Sequence, residues 1–133
     1  MVDQYESWTN AASRLLEEYL AHKTLIVALD FDDTIYDFHN KGYDYSNVIH
    51  LVQRCNKLGF KIVIFTANKD HELVNKHCNE IGIKIEGINK QLLPQFEGSG
   101  KIYYNILLDD RAGLGSSIKL LKSVVEYAEG KIL

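Results

Sequence analysis

The hydrophobic pattern of this chain changes repeatedly between helical spacing and short, continuous apolar runs. Helical spacing brings apolar side chains onto one face, whereas an uninterrupted short run is typical of a buried strand. Ser46 and Asn68 are the predicted N-caps of two helices, which Gly59 and Gly82 are predicted to end. The predicted helices cover residues 10–22, 46–58, 68–81 and about 116–128, and the predicted strands cover 24–29, 61–65 and 102–108.

This order of elements is typical of an α/β fold. Strands that are apolar along their whole length are covered on both faces, as in parallel sheets flanked by helices. We therefore predict a three-layer, doubly wound, mostly parallel sheet with helices on both faces. One domain is predicted, residues 1–133, with a short polar and aromatic flap at about 35–45. Residues 83–100, which contain Pro94 and a Gly-Ser-Gly turn, have no clear pattern.

Composition and charge narrow the functional classes. The net charge is −3 and the lysines are scattered, which argues against nonspecific binding to nucleic acid. The first residues do not resemble a secretion signal, and no apolar run is long enough to cross a bilayer, so we expect a cytoplasmic protein. Cys55 and Cys78 have no Cys-x-x-Cys spacing and lie on predicted helix faces, so we expect buried, reduced thiols.

Acidic residues follow two of the predicted strands. They are Asp30, Asp32 and Asp33 after the first strand, and Asp109 and Asp110 after the last. Because the carboxyl ends of parallel strands meet at one edge, these residues and Thr66 are predicted to form one site. Like charges at such an edge reduce stability unless a cation or a hydrogen-bond network compensates. A divalent-metal site and a solvated turn that caps the next helix are the two interpretations.

The order of these residues resembles the motifs of the haloacid dehalogenase superfamily of phosphatases. The run Asp30-Phe31-Asp32-Asp33-Thr34 is similar to the first motif, and Thr66 after KIVIF is similar to the second. A lysine and then Asp109-Asp110 follow in the order of the third and fourth motifs. The resemblance covers residues 24 to about 113. Because neither gap between motifs has room for a cap domain, the chain resembles the capless members.

The resemblance implies a mechanism and a cofactor. Asp30 would be the nucleophile that forms an aspartyl-phosphate, and Asp32 would be the general acid and base. Thr66 would bind the phosphoryl group. The implied ligands of Mg²⁺ are Asp30, Asp109, Asp110 and Asp32, the last through its backbone carbonyl. The implied phosphate-binding groups also include Phe31 and Ala67 through their backbone N–H groups, Asn68, Lys90 and Arg111.

Three assignments within this scheme stay open at the level of sequence. Lys101 is favoured over Lys90 as the phosphate-binding lysine, provided that the following strand is short and begins after a bend near Tyr104 or Asn105. Arg111 either contacts phosphate or forms an ion pair with Asp110. The flap aromatics either stack on a substrate base or sugar or are buried against the protein; they are Phe38, Tyr43 and Tyr45.

The substrate class is also open. A small phosphomonoester such as a nucleotide or a sugar phosphate is favoured, since LLDDRAG resembles a run in 5′(3′)-deoxyribonucleotidases and in small phosphatases of capsule or phage gene clusters. A phosphate on a nucleic-acid end or a protein is the alternative substrate. A non-catalytic interaction domain with this fold is a further alternative. A response-regulator receiver is disfavoured, because there the acidic pair precedes the phosphorylated aspartate.

Overall fold

A computed structural model describes residues 7–130 of the chain. These residues form α-helices and strands in the order α1, β1, α2, β2, α3, β3, β4, α4. The helices are α1 (Trp8–His22), α2 (Ser46–Lys57), α3 (His71–Glu80) and α4 (Leu114–Ala128). The strands are β1 (Ile26–Asp30), β2 (Lys61–Phe65), β3 (Gly87–Ile88) and β4 (Ile106–Leu108).

The strands form one parallel sheet in the order β3-β2-β1-β4. The two longest strands, β1 and β2, are central, and Leu29 of β1 is in register with Ile64 of β2 and Leu108 of β4. The predicted α/β fold with a parallel sheet is confirmed. Between β1 and β2 the chain forms only the flap and α2, and between β2 and β4 it forms only α3, β3 and a 3₁₀ turn, so no cap domain occurs within residues 7–130.

The two faces of the sheet are covered differently. Alternate strand residues, such as Val27 and Ile62, join one buried apolar cluster to which all four α-helices contribute. The other face is packed by the segment 89–105, where the Tyr104 ring lies edge-on to Phe65 with 5.6 Å between centroids. This segment contains a 3₁₀ turn, Pro94–Phe96, where the sequence pattern gave no assignment. Both faces of the central strands are therefore buried, as their continuous apolarity predicted. Within residues 7–130 the four α-helices pack on one face and this segment covers the other, whereas helices were predicted on both faces.

Local capping explains where helix boundaries differ from the prediction. The Ser7 hydroxyl accepts a hydrogen bond from the Asn10 N–H, so α1 begins at Trp8 rather than near Asn10. The prediction that Asn68 caps α3 is wrong, because the Asp70 side chain accepts from the Leu73 N–H and is the N-cap. The prediction that Ser46 caps α2 is also wrong, because Ser46 is the first residue of that helix and Tyr45 before it makes no side-chain capping bond.

Strand β4 is shorter than the predicted strand 102–108. The Asn105 side-chain oxygen accepts from the Ile26 N–H at 2.7 Å, and the Asn105 N–H donates to the Ile26 carbonyl. Before this point the chain leaves the sheet, since the Gln91 amide binds both the Lys101 carbonyl and the Tyr103 N–H. The bend near Asn105 that the sequence analysis required for a short strand is therefore present.

Both cysteines are free and buried, as predicted. Burial raises the pKa of the Cys55 thiol to about 12 and that of Cys78 to about 11, so both are uncharged near neutral pH. They pack as small apolar side chains in the main cluster. Within residues 7–130, every helix is too short or too polar to traverse a lipid bilayer.

Candidate active site

Three carboxylates meet at the carboxyl ends of two adjacent strands. Asp30 is the last residue of β1, and Asp109 and Asp110 directly follow β4. Because β1 and β4 are paired in parallel, their ends lie side by side. One carboxylate oxygen from each of the three residues lies within 4.8 Å of the others. The structure thus brings together three of the residues that the sequence analysis predicted as metal ligands.

Thr34, which is fully buried, connects two of these three residues, Asp30 and Asp110, through its hydroxyl. The chain turns back after β1 because the N–H groups of Thr34, Ile35 and Tyr36 all donate to the Phe31 carbonyl. The turn points the Thr34 hydroxyl at Asp30, to which it donates at 2.9 Å, and the same oxygen accepts from the Asp110 N–H at 3.1 Å. Sequence analysis treated Thr34 only as part of a motif, so this connecting role was missed.

The environment of Asp30 disfavours its charged form. Burial raises its pKa, the neighbouring Asp110 and Asp109 carboxylates raise it further, and the Thr34 hydrogen bond opposes them, giving a pKa of about 7. A divalent cation would offset this repulsion. Carboxylate oxygens are the ligands that Mg²⁺ prefers, and the donor set fits an ion that also keeps several waters. The Asp32 side chain lies outside this group of three.

A second strand end places a hydroxyl and an amide beside Asp32. Thr66 directly follows β2, and its hydroxyl oxygen accepts from the Asn68 N–H at 3.0 Å. The Asn68 side-chain amide in turn donates to the Asp32 carboxylate at 3.4 Å. A hydroxyl that accepts from a backbone N–H still has its own proton to donate. Thr66 can therefore donate to a bound ligand from this position.

Asn89 fixes the backbone of Thr66 and was not identified from the sequence. Its side-chain oxygen accepts from the Thr66 N–H at 2.9 Å, and its side-chain nitrogen donates to the Thr66 carbonyl at 2.7 Å. Asn89 has a left-handed backbone conformation, with φ of 50°. Asparagine tolerates this conformation better than most residues. An asparagine directly after a short apolar run was the signal available in the sequence.

Two backbone N–H groups at these strand ends are available to a ligand. Within residues 7–130, neither the Phe31 N–H nor the Ala67 N–H has a protein acceptor. Phe31 follows β1 and Ala67 lies two residues after β2, so both belong to the edge that carries Asp30. Backbone N–H groups in such positions are suited to bind oxyanions. The Phe31 side chain is buried in the core, so only its backbone can take part.

The two candidate lysines lie in different places. Lys90 follows Asn89, beyond the carboxyl end of β3, and its stem packs so closely over Gly87 that a Cβ there would lie 2.8 Å from Lys90 Cδ. Lys101 precedes β4 by five residues and lines a cavity with Arg14 and Asn105. The Asn105 side chain is bound at the amino end of β1. Position along the sheet therefore favours Lys90 over Lys101, which the sequence analysis preferred.

One of the two roles considered for Arg111, an ion pair with Asp110, does not match the structure. Its side chain forms no ion pair with Asp110 among the residues that the structure describes. Its backbone N–H donates to the Asp109 carboxylate at 2.9 Å, and its side chain is exposed. The Arg111 backbone N–H thus orients the Asp109 carboxylate, and the exposed Arg111 guanidinium is available to bind a ligand.

The flap is a structured loop attached to the acidic turn. The Asp37 carboxylate accepts from the N–H groups of Lys41 and Gly42, at 2.7 and 2.9 Å. His39 pairs with Asp33 through its ring, and its backbone N–H donates to the same carboxylate. Although partial burial alone would raise the pKa of Asp33, the hydrogen bonds from His39 hold it below its usual range. The flap is therefore fixed next to Asp32.

Comparisons with known proteins establish only the fold. No family model matches the chain, and no curated protein matches it. One solved structure is similar, a conserved protein from Bacteroides thetaiotaomicron. It is 19% identical, with a TM-score of 0.57, over 83% of this chain and 93% of that one. This likeness supports the α/β fold.

Proposed function

We propose that this protein is a Mg²⁺-dependent phosphatase that hydrolyses phosphomonoesters through an aspartyl-phosphate on Asp30. The observation that carries the proposal is the meeting of Asp30, Asp109 and Asp110 within 4.8 Å, beside Asp32 and Thr66. A carboxylate nucleophile, a second carboxyl group for proton transfer and donors for phosphoryl oxygens are the parts that phosphoryl transfer needs. The motif order that resembles the haloacid dehalogenase superfamily assigns the same roles.

In the first step, an Asp30 carboxylate oxygen attacks phosphorus and the bond from phosphorus to the leaving oxygen breaks. Asp32 gives its proton to that oxygen, so the leaving group departs as an alcohol. In the second step, Asp32 takes a proton from water, the water oxygen attacks phosphorus and the bond to Asp30 breaks. Asn68 holds the Asp32 carboxylate through its side-chain amide, at 3.4 Å, and so limits where that proton can be delivered.

The phosphoryl oxygens need compensation for the charge that they carry in the transition state. Thr66 supplies a hydroxyl donor, and the Phe31 and Ala67 backbones supply two N–H donors without protein acceptors in the described part of the chain. Mg²⁺ held by Asp30, Asp109 and Asp110 would supply positive charge to the phosphoryl group and to the acidic cluster. The Thr34 hydroxyl links two of these residues, because it donates to the Asp30 carboxylate and accepts from the Asp110 backbone N–H.

A lysine is expected to complete the site, and we favour Lys90. It lies at the carboxyl edge of the sheet, next to the residue that braces Thr66. Its ammonium forms no ion pair with any residue in the range 7–130, so it is free to bind a phosphoryl oxygen. Lys101 lies four residues before Asn105, whose side chain is bonded to Ile26 at the amino end of β1, the opposite end of the strand from Asp30.

The proposal is tested by a hydrolysis screen over phosphomonoesters that include nucleotides and sugar phosphates, with Mg²⁺ or with a chelator. We expect release of inorganic phosphate that requires the metal. Asp30→Asn removes the nucleophile and should abolish turnover while the circular dichroism spectrum stays unchanged. Metal-independent hydrolysis, or an Asp30→Asn enzyme with wild-type kcat, would refute the mechanism.

A further inference from the structure

Two aromatic rings of the flap are exposed to solvent instead of being buried against the protein. The Phe38 side chain is 52% exposed and that of Tyr43 is 68% exposed. A third flap aromatic, Tyr36, is the one that joins the core, since its ring stacks on Phe31 at 5.0 Å and meets His77 edge-on. Tyr45 is half-buried and its hydroxyl reaches Asp37. Burial therefore accounts for Tyr36 and Tyr45 but not for Phe38 and Tyr43.

Hydrogen bonds within the flap fix the backbone that carries the two exposed rings. Asp37 fixes the backbone between them through the N–H groups of Lys41 and Gly42. Within residues 7–130, the ring contacts of Phe38 and Tyr43 are with flap neighbours: His39 lies edge-on to Phe38 at 4.9 Å, and the Lys41 ammonium lies 5.9 Å from the Tyr43 centroid. Large ring surface that is ordered but exposed is suited to stack on a planar ligand.

The flap is also attached at the site where the leaving group would be. His39 pairs with Asp33, next to the proposed general acid, and Asp32 forms an isolated parallel bridge with Tyr36. Phe38 lies between these two attachments in the chain. Because Asp32 would protonate the leaving oxygen, the leaving group of a substrate bound at Asp30 would lie next to Asp32, where the flap is attached.

We propose that Phe38 and Tyr43 stack on the base of a nucleoside monophosphate, an inference that rests on the phosphatase function proposed above. A base offers these rings a planar π-face over which they can stack, whereas a sugar phosphate offers only the C–H groups of a puckered ring. A long nucleic acid is disfavoured by the net charge of −3, which provides no extended positive surface for its backbone. A single nucleotide needs only one phosphate site and one stacking surface, and Lys41 adds a local positive charge beside Tyr43.

The test compares AMP with ribose 5-phosphate, which has the same ester but no base. Binding to the Asp30→Asn protein in Mg²⁺ is measured by isothermal titration calorimetry, so that it does not depend on turnover. We expect AMP to bind at least about tenfold more tightly. Phe38→Leu and Tyr43→Leu should each weaken AMP by about five- to a hundredfold, the effect of one base-stacking contact, and leave ribose 5-phosphate unchanged.

Two controls separate stacking from a structural effect. Tyr43→Phe keeps the ring and should retain AMP affinity. Tyr127→Leu removes a 42% exposed tyrosine near the end of α4 and should change neither ligand. Equal affinity for the two ligands, or an equal loss of both in the leucine variants, would overturn the inference.

Measuring hydrolysis alongside binding distinguishes a failure of this inference from a failure of the proposed function. A wild-type enzyme that hydrolyses phosphomonoesters but shows no base-dependent binding refutes the stacking role alone. Ring-dependent binding of AMP by a protein without hydrolytic activity on any ester refutes the phosphatase proposal and supports the nucleotide site.

Discussion

Replacing Thr34 by valine tests whether one hydroxyl holds the acidic cluster together. Valine has nearly the same shape, so the substitution removes the hydroxyl with little change in packing volume. The hydroxyl donates to Asp30 at 2.9 Å and accepts from the Asp110 N–H at 3.1 Å. Both bonds would be lost, and the Asp110 N–H would lose its only acceptor in the described part of the chain.

The expected loss of stability follows from burial. Thr34 has 0% exposure, so water has no direct access to the hydroxyl position. A hydrogen bond to a charged group contributes about 1.5–3 kcal/mol, and a buried donor without a partner costs about 1–3 kcal/mol. Because Asp110 itself is exposed and its N–H can partly find water, we expect a total loss of about 2–3 kcal/mol.

Urea unfolding of the metal-free protein at pH 8, where Asp30 is mostly ionised, measures this loss. Thr34→Ser is the matched control, since it keeps the hydroxyl and removes one buried methyl group, for a cost of about 1 kcal/mol. Thr34→Val should therefore unfold at lower urea concentration than Thr34→Ser, and the pKa of Asp30 should rise only in the valine variant. A valine variant as stable as wild type, or a serine variant that loses more, would refute the role of the hydroxyl.

Two further predictions concern charge at the site. Asp30 has a pKa of about 7 against an ordinary value of 3.8, so the folded metal-free protein binds this proton more tightly than the unfolded chain. Its stability should therefore fall as pH rises from about 4 to 8, with a fall that saturating Mg²⁺ or Asp30→Asn removes; urea unfolding that shows the same pH slope in Asp30→Asn contradicts this. Lys90→Ala should lower kcat/KM for phosphomonoesters by about 10²-fold and Lys101→Ala by little, and steady-state kinetics with the opposite ranking would show that Lys101 binds the phosphoryl group.

The central sheet and its acidic edge were predictable because their causes are local in sequence. Continuous apolarity marks β1 and β2 as buried on both faces, and burial on both faces favours a parallel sheet. Parallel strands deliver whatever follows them to one edge, so Asp30 and Asp109 could be expected together before any contact was known. The register between Leu29 and Leu108 realises this expectation.

The parts that were missed depend on contacts between distant residues. The cross-link by Thr34 requires Asp110, 76 residues away, and the bracing of Thr66 by Asn89 spans 23 residues. No spacing rule identifies such pairs. The position of Lys101 depends on where β4 begins, and that is decided by the bond between the Asn105 side chain and the Ile26 N–H. The sequence pattern marks residues 102–108 as apolar but contains no sign of this bond.

The proposed chemistry and the proposed specificity are supported by different kinds of structure. Asp30 is attached to a strand whose preceding residues are fully or nearly fully buried, so the close-packed core fixes its position. Phe38 and Tyr43 are attached to a loop held mainly by the carboxylates of Asp33 and Asp37. Because loops tolerate substitution better than buried strands, the leaving-group contacts can change while the acidic cluster stays intact. Substitutions in the flap should therefore act mainly on KM, and those at the strand ends mainly on kcat.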